Sequence, residues 1–345
     1  MSKVTIKDIA QKAGVSVTAV SFAFNNPSRL GGATVQRILE VADELGYTPD
    51  PVARSMSTGR TGTLGILVPQ PIPEIISNPF LPELIEGIGE ACMRSGFSLM
   101  IVPPLEGSMK RAVSNVAVDG FVTLGLESHK ATMMILQQRG TPFVTVDSDP
   151  IEGVPAVNVD DAMGAYDVMR HVLEAGHREI TVLAIRSGKH GHYQEYAGTL
   201  RQRMDGYLTA LQEYGLTLDG KHIQLVETAS TVEGGISAFQ KLWKTARHPT
   251  CIVAMSDVIA MGAMHAARQA GISVPNELSI VGFDDIPFAA LMTPPLTTVG
   301  QQIRQKGKLA ADLLVELIEG KPSESNHHLL PTRLVLRDTV CPPMG

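Results

Sequence analysis

The sequence predicts a small all-α domain followed by an α/β core of two doubly wound parallel-sheet subdomains. Residues 4–46 place apolar side chains at helical spacing, without strand-like alternation. From residue 64 onward, short aliphatic runs alternate with longer amphipathic ones, which is the pattern of parallel strands covered by helices. About ten such runs are too many for one compact sheet, and a turn-rich break at 147–155 lies near the middle. We therefore expect two similar subdomains.

The composition predicts a soluble, globular protein and excludes a fibre or a disordered tail. The 345 residues are 44% hydrophobic and 19% charged, with a net charge of −6. Residues 1–60 hold seven Lys and Arg against five Asp and Glu, and the rest of the chain holds 22 against 30. The three cysteines lie far apart, which favours neither disulfides nor a zinc site. The first residues lack an apolar leader and no run approaches the ~18 residues of a membrane span. We expect a cytoplasmic protein that has no membrane partner.

The all-α domain is predicted over residues 1–49 and contains a helix-turn-helix. The segment IKDIAQKAGVSVTAVSFAFNN places small Ala10 where two helices cross, Gly14 in the turn and Ser16 at the start of the second helix. A third helix is predicted from about Thr34 to Leu45. An ordinary αα-hairpin is the alternative interpretation of the same pattern.

The second helix has the side chains that reading a DNA major groove requires. Its exposed face begins with small or polar residues, Val17, Thr18 and Ser21, and the first two can contact thymine methyl groups. Hydroxyl and amide groups that can donate to phosphates surround it. These phosphate candidates are Thr5, Ser16, Asn25 and Thr34.

Residues 50–61 are predicted to form a short hinge helix or linker. Pro51 can start a helix, and Gly59 breaks it after at most two turns. So short a helix is expected to be largely unfolded alone, and to need DNA or a partner chain to hold it.

Residues 62–345 form the predicted core. The first subdomain is expected at about 62–158 and 292–321, and the second at about 159–291 and 322–345. A cleft between parallel-sheet lobes is lined by the carboxyl ends of strands and the loops that follow them. Charged, amide and aromatic groups placed there suit a polyhydroxylated ligand. The candidate ligand-binding residues are Phe80, Asp147, Arg203, Ser256, Phe283, Asp284 and Gln301. Asp257 is equally well interpreted as a helix N-cap.

Three segments together resemble the lactose/galactose repressor (LacI/GalR) family of bacterial transcription regulators. They are VTIKDIAQKAGVSVTAVSFAFNN, LGYTPDPVARSM and LSIVGFDDIPFAALMTPPLTTV, in the family's order and across nearly the whole chain. The resemblance implies a homodimer that binds double-stranded operator DNA and represses transcription. It also implies a core similar to periplasmic sugar-binding proteins, with a small effector, a sugar or related metabolite, between the subdomains. No cofactor, metal or catalytic residue is expected.

The resemblance assigns roles to particular residues. Base reading falls on Val17, Thr18 and Phe22, although the family often has Arg or His where this chain has Phe22, so that Phe22 either contacts DNA or only packs. Ala53 and Met56 match the hinge positions, where the family usually wedges a Leu into the minor groove.

In the cleft, the family uses the positions of Arg203 and Asp284 for effector contact, and commonly has Asn where this chain has Ser256. The final run, PTRLVLRDTVCPPMG, has no heptad pattern, so a dimer is expected and not a tetramer.

Two further patterns resemble sites of chemistry but match them incompletely. The polar stretch 186–196 contains Lys189, His190 and His192, which fit either solvated residues, an anionic effector or, less well, a metal. The segment GLTLDGKH resembles a phosphate-binding loop, but His222 stands where Ser or Thr is required. A sugar-binding module without DNA regulation and a sugar-processing α/β enzyme are the alternative functions. The enzyme lacks a nucleophile or metal set in the sequence.

Overall fold

The computed structural model describes residues 4–125, 130–186, 193–218, 221–321 and 327–344. The chain forms two compact units. The first extends to Thr63 and includes Ala117–Asp119, and the second contains the remaining residues. No helix of the described ranges is both long and apolar enough to span a lipid bilayer.

The first unit is helical, as predicted. Its helices are α1 (Ile6–Ala13), α2 (Val17–Asn25), α3 (Gly32–Glu44) and α4 (Pro51–Thr58). Ile9, Val20 and Ile38 meet in a small core that is closed to solvent. Gly14 ends α1 with a φ of 65°, a conformation that glycine adopts without steric cost. Ser16 Oγ then accepts a hydrogen bond from Ala19 N at 3.1 Å and starts α2.

The hinge segment is helical in the structure. Asp50 Oδ1 accepts a hydrogen bond from Val52 N at 2.9 Å, and Gly59 ends α4 in a left-handed conformation. None of the described side chains of α4 is buried. Because an eight-residue helix that buries no side chain gains little from packing, its expected dependence on DNA or a partner chain stays a prediction.

The second unit contains a six-stranded parallel sheet that we call the first lobe, together with the helices packed on it. Its strands in spatial order are β11 (His327–Leu330), β5 (Ala156–Val159), β4 (Phe143–Val146), β3 (Gly120–Leu124), β1 (Thr63–Leu67) and β2 (Ser98–Val102). Its helices are α5 (Ile72–Ser77), α6 (Phe80–Ser95), α7 (Met109–Asn115), α8 (Lys130–Gln138) and α13 (Ile303–Ile318).

A four-stranded parallel sheet with its helices forms the second lobe. Its strands in spatial order are β7 (Ile223–Thr228), β6 (Ile180–Ile185), β8 (Cys251–Ala254) and β9 (Ser279–Val281). Its helices are α9 (Asp161–Glu174), α10 (Gly198–Glu213), α11 (Val232–Leu242) and α12 (Asp257–Gln269). The predicted pair of doubly wound subdomains is therefore confirmed.

The predicted subdomain boundaries differ from the observed pairing in two places. Residues 327–330 form β11, which pairs with β5 of the first lobe, although the sequence analysis placed them in the second. Residues 292–300 were placed in the first subdomain, but Thr297 bridges to Val281 of the second lobe. The reason is that β10 (Thr298–Gly300) and β12 (Arg333–Val335) pair antiparallel as a crossover ribbon, a long-range contact that strand periodicity does not predict.

Two glycines let α13 approach α6 closely. A Cβ at Gly87 would lie 1.9 Å from the carbonyl oxygen of Arg304, and one at Gly307 would lie 2.2 Å from that of Leu84. This contact places the side chain of Lys306, next to Gly307, beside the start of α6 at Phe80. The close packing therefore positions part of the ligand cleft described below.

Candidate nucleic-acid interface and ligand cleft

Helix α2 presents the face that the sequence predicted. Val20 and Ala23 are buried in the core of the first unit, whereas Val17 is 39% exposed and Thr18 is exposed beside it. A helix whose small and polar side chains point away from its own core can enter a major groove without losing packing. The predicted exposure is confirmed, and contact with DNA stays a prediction.

The four phosphate candidates differ in the hydrogen bonds that they already make. Thr5 Oγ1 donates to Asp8 Oδ2 at 2.8 Å, so its only proton is used in the cap of α1. Ser16 Oγ accepts from α2 and keeps its proton, and Asn25 Nδ2 contacts Ser21 Oγ at 3.5 Å. Thr34 lies near the start of α3. Ser16 therefore fits phosphate donation better than Thr5 does.

The two phenylalanines of α2 have different neighbours. Phe24 packs on the core of the first unit, and its ring lies 5.6 Å from that of Tyr47. Phe22 is half-buried and instead faces the guanidinium carbon of Arg29, which lies 5.2 Å from the centre of the Phe22 ring. The neighbours of Phe22 thus lie at the surface and not in the core.

The hinge residues are open to solvent. Met56 is 84% exposed and Ala53 is exposed one turn before it on α4. An apolar side chain that nothing in the described chain covers suits insertion between base pairs, which needs an apolar wedge.

Six of the seven predicted ligand residues meet in one buried network, in which Lys306 joins three of them. Its ammonium donates to both carboxylate oxygens of Asp147 at 2.7 Å and to Gln301 Oε1 at 2.8 Å. It also lies 5.2 Å from the centre of the Phe80 ring. The Lys306 side chain is fully buried and that of Asp147 is 11% exposed. Lys306 therefore lies behind Asp147 and holds its carboxylate in place.

The second lobe supplies a matching arrangement around Arg203. The Arg203 Nε donates to Asp161 Oδ1 at 2.8 Å, and another of its nitrogens donates to the carbonyl oxygen of Met255. The guanidinium carbon stacks 3.8 Å from the centre of the Phe283 ring. Each lobe thus contributes a cation, a carboxylate and an aromatic ring, and the charges are paired.

Gln301 and Asp284 connect the two arrangements. Gln301 Nε2 donates to Asp284 Oδ1, and Arg203 lies 3.9 Å from that oxygen. Burial raises the pKa of Asp284 to about 8, because the neighbouring Arg203 only partly offsets the loss of solvation and Asp257 adds repulsion. Burial also raises the pKa of Asp161, against the opposing effect of Arg203.

Ser256 and Asp257 take roles that the sequence left open. Ser256 is the N-cap residue of α12, and its Oγ lies 3.2 Å from that of Ser230. Asp257 accepts hydrogen bonds from Ile286 N at 3.0 Å and from Thr298 Oγ1. Both carboxylate oxygens of Asp257 thus bond within the second lobe, which makes it a structural residue and neither an N-cap nor a ligand contact.

The backbone of the cleft adopts conformations that are rare for residues with side chains. Asp147 has a φ of 51°, Asp284 of 142°, Asp285 of 57° and Gln302 of 52°. Each such residue costs of order 1–3 kcal/mol, and such strain concentrates where side chains must be aimed precisely. The four positions follow strands or connect the lobes, where the cleft was predicted.

A cavity of about 860 Å³ adjoins the network. Asp284 and Gln301 are the two predicted ligand residues that line it, together with Asp285, Arg304 and Arg333. This volume lies within the ~300–1,000 Å³ of small-molecule sites. The cavity and the buried network therefore share one wall.

Sequence reasoning missed Lys306 and did not assign Asp161 to the cleft. One signal for Lys306 was available: it stands between Ile303 and Ala310 on the apolar face of α13, where a charged residue requires a buried partner. No sequence feature identifies that partner as Asp147, since 159 residues separate them.

The structure describes only part of the two polar patterns, 186–196 and GLTLDGKH. His190 and His192 lie outside the described residues, as does Lys189. Among the residues that are described, no group of three or more His, Cys, Asp and Glu is placed to hold a metal ion. His222 Nδ1 lies 2.6 Å from Glu179 Oε1, so its ring contacts a carboxylate and not a phosphate-binding loop.

Comparisons with known proteins agree with this geometry. Residues 5–50 match the model for bacterial regulatory proteins of the lacI family, and residues 169–340 match a periplasmic binding protein-like domain. The HTH-type transcriptional repressor PurR of Photobacterium profundum is 31% identical, covering 97% of this chain and 98% of its own.

Solved structures extend the likeness to the fold. The complex of the transcriptional regulator CelR with cellobiose has a TM-score of 0.69 at 26% identity, covering 98% of this chain and all of the other. The lac repressor dimer bound to operator and the anti-inducer ONPF has a TM-score of 0.81 at 24% identity, covering 99% of this chain and all of the other. At that identity the second likeness supports the fold alone.

Proposed function

Because the chain belongs to the lacI family of bacterial regulatory proteins, we propose that it represses transcription as a homodimer on a pseudo-palindromic operator, under the control of a small effector. It is a DNA-binding transcriptional regulator. The observation that supports operator reading is the exposed face of α2, with Val17 and Thr18 turned away from the core. Two such helices, related by the twofold axis of a dimer, would read two half-sites.

The test of DNA reading is selection of bound duplexes from random DNA by the full chain, at fixed near-physiological salt. We expect an inverted repeat. Thr18→Asp should abolish the selection, because it places a carboxylate on the α2 face that meets DNA. Gln212→Glu is the matched control, since it adds the same charge on exposed α10 and should leave the motif unchanged. Absence of any motif with the unaltered protein, with or without added sugars, would contradict DNA reading.

The effector that the cleft fits best is an uncharged, polyhydroxylated molecule such as a sugar. Three carboxyl groups, Asp147, Asp161 and Asp284, share the buried network with two cations, Lys306 and Arg203. Because the pKa of Asp284 is raised, the network has no excess of positive charge for an anion, and its oxygen atoms suit a ligand with hydroxyl groups. Binding of cellobiose by CelR supports a sugar without fixing which one.

Effector binding is tested by thermal unfolding with cellobiose, ribose and glucose 6-phosphate as probes. A neutral sugar should stabilise the protein, by about 2.7 kcal/mol at 100 times its Kd. Ser256→Ala should weaken this response, whereas Ser230→Ala, which removes the same Ser–Ser contact from the other side, should not. Arg203→Ala is unsuitable here, because it leaves Asp161 buried without its cation and destabilises the fold itself. Stabilisation by the sugar phosphate alone would contradict the neutral-sugar class.

Two exposed apolar surfaces of the core support the homodimer. Strand β2 is an edge of the six-stranded sheet, and it exposes Met100 and Ile101, whereas the other described strands of that lobe between β1 and β5 are largely buried. In the second lobe, Phe288 is exposed and Leu291 is 75% exposed beside a cavity of about 340 Å³. Apolar surface of this kind marks association. Leu291→Glu should shift the protein toward monomers in sedimentation velocity, and an unchanged dimer would exclude this face.

We propose no catalytic activity and no cofactor beyond the effector. The carboxyl groups of the network bond to a cation, an amide or a hydroxyl of the same network, which is the arrangement of groups that hold one another in place. Operator binding would place the protein in the bacterial cytoplasm, where the DNA is. Turnover of any stabilising sugar by the purified protein would contradict the first point.

A further inference from the structure

The strongest observation that the proposed function leaves unused is the stacking of Arg29 on Phe22. Arg29 is the last residue of a 3-10 turn, Pro27–Arg29, that directly follows α2. The turn is fixed by Arg29 N donating to Asn26 O at 3.0 Å and by Leu30 N donating to Pro27 O at 3.0 Å. The guanidinium carbon lies 5.2 Å from the centre of the Phe22 ring. The turn thus positions the backbone of Arg29, and its guanidinium lies within cation–π distance of the Phe22 ring.

The Arg29 guanidinium keeps its donors available. Within the described residues it forms no ion pair, although Lys12 of the same unit pairs with Glu44 at 2.9 Å. A guanidinium above an aromatic ring can still donate hydrogen bonds from the N–H groups at its edge. Arg29 is exposed, so this edge is open to a ligand from outside the chain.

The Phe22 ring itself has no hydrogen-bonding group, and it is not one of the side chains packed on the core of the first unit. It stands one turn after Thr18 on α2, next to Ser21 of the predicted DNA face. A ring at this position brings the guanidinium to the same side of α2. Two N–H donors in one plane match the O6 and N7 acceptors of guanine in the major groove.

We propose that Phe22 and Arg29 act as one reading unit, in which the Phe22 ring orients the Arg29 guanidinium to bind a guanine in each half-site. The inference rests on the proposed function, because it requires that α2 faces a major groove. It assigns base reading to a residue outside the recognition helix and gives Phe22 a positioning role.

The experiment repeats the selection from random DNA with four variants of the full chain: Arg29→Ala, Arg29→Lys, Phe22→Leu and Arg37→Ala. The unaltered protein should require a guanine at one position of each half-site. Arg29→Ala should lose that preference and bind the selected site about 5- to 150-fold more weakly. Arg29→Lys keeps the charge and loses the planar fork, so it should lose the preference as well.

Phe22→Leu tests the positioning role, because it keeps apolar volume and removes the ring. It should weaken the guanine preference while Arg29 is still present. Arg37→Ala is the matched control: it removes an exposed arginine of α3, and the motif should stay unchanged. Thermal unfolding of each variant verifies that it is folded, and the charge-conserving Arg29→Lys decides the outcome if Arg29→Ala is unstable.

A chemical probe tests the contact directly. Replacing the selected guanine by 7-deazaguanine removes the N7 acceptor and keeps base pairing, so it should weaken binding of the unaltered protein but not of Arg29→Ala. An unchanged motif in Arg29→Ala or Phe22→Leu would overturn the proposal. So would a uniform loss of affinity on all sequences with a salt slope lower by about one, which indicates a phosphate contact. If the unaltered protein selects no motif, the proposed function fails and this inference with it.

Discussion

The functional polar groups of the α2 face and those of the ligand cleft differ in exposure and in the hydrogen bonds that they make within the chain. On α2, Val17 and Thr18 are exposed, the other predicted contact residues are half-buried, and the group makes few hydrogen bonds to the rest of the chain. In the cleft, Asp147, Lys306, Arg203 and Asp284 are buried and bond to one another. The α2 face can therefore change its side chains at little cost to folding, whereas each change in the cleft also changes stability.

The difference follows from the partner each region meets. DNA brings its own charge and its own acceptors, so an open α2 face needs no internal partners. A small effector must be enclosed, and enclosure removes water from every charged group around it. Internal pairing is then required, because an unpaired buried charge destabilises the fold strongly.

The largest expected effect is that of Lys306→Met, which keeps the length of the side chain and removes the charge. Asp147 would then be buried without its counter-ion, and the free energy of unfolding should fall by about 3–5 kcal/mol. Urea unfolding measures it. The double variant Lys306→Met with Asp147→Asn should recover much of the loss, because no charge is left unpaired. A loss below about 1 kcal/mol in the single variant would show that the pair is not buried as the structure has it.

The next effect concerns pH and Asp284. Its folded-state pKa of about 8 lies above the value of about 3.9 in the unfolded chain, so the folded protein binds the proton more tightly. This contribution to stability is complete below about pH 4 and is lost as the pH rises to about 8, by about 1.4 kcal/mol per pH unit. Asp284→Asn cannot titrate and should lack this slope between pH 6 and 8.

The comparison with Asp284→Asn is needed because other groups act in the opposite direction. Burial lowers the pKa of His171 and His177, so their contribution to stability increases as the pH rises through about 6.5. The difference between the unaltered protein and Asp284→Asn isolates the carboxyl group. Equal slopes for the two proteins would mean that Asp284 is already ionised at pH 6.

The same contrast explains what the sequence predicted. The first three helices of the first unit, the turn at Gly14 and the exposed residues of α2 follow from local periodicity and capping, which act over a few residues. The ends of β4 and β9 also bring Asp147 and Asp284 to the cleft, because parallel sheets expose their carboxyl ends at one edge, whereas Arg203 reaches it from within α10. These features needed no knowledge of distant contacts.

What the sequence did not predict depends on residues far apart in the chain. Lys306 meets Asp147 across 159 residues, and β11 joins β5 from the far end of the chain. The crossover ribbon likewise pairs β10 with β12, more than 30 residues later in the chain. Phe22 is an intermediate case: its half-exposed position follows from α2, but its stacking partner Arg29 comes from the next turn.

A smaller effect is expected for Met56→Ala, at an exposed residue of α4. Alanine keeps the helix propensity of α4, and Met56 is too exposed to contribute to packing, so stability should change by less than about 0.5 kcal/mol. Affinity for the selected operator should nevertheless fall about tenfold, since the wedge that opens the base step is lost. Nonspecific DNA serves as the control and should bind as before. Equal losses on both DNAs would reject the wedge.

The smallest effect is expected for Asp50→Ala. This variant tests whether α4 is stabilised by contacts within the chain, as the cleft is, or depends on an outside partner. Asp50 Oδ1 accepts from Val52 N, and the loss of such a cap destabilises a helix by about 1 kcal/mol. Because no described side chain of α4 is buried, this loss should stay local and leave the unfolding of the whole chain unchanged. Amide hydrogen exchange at Ala53 and Arg54 should accelerate about fivefold. Operator affinity should fall by at most the same factor, because DNA then binds a helix that is formed less often. If exchange stays unchanged, contacts other than the cap stabilise α4 before DNA binds. The hinge would then resemble the cleft, which is stabilised by contacts within the chain.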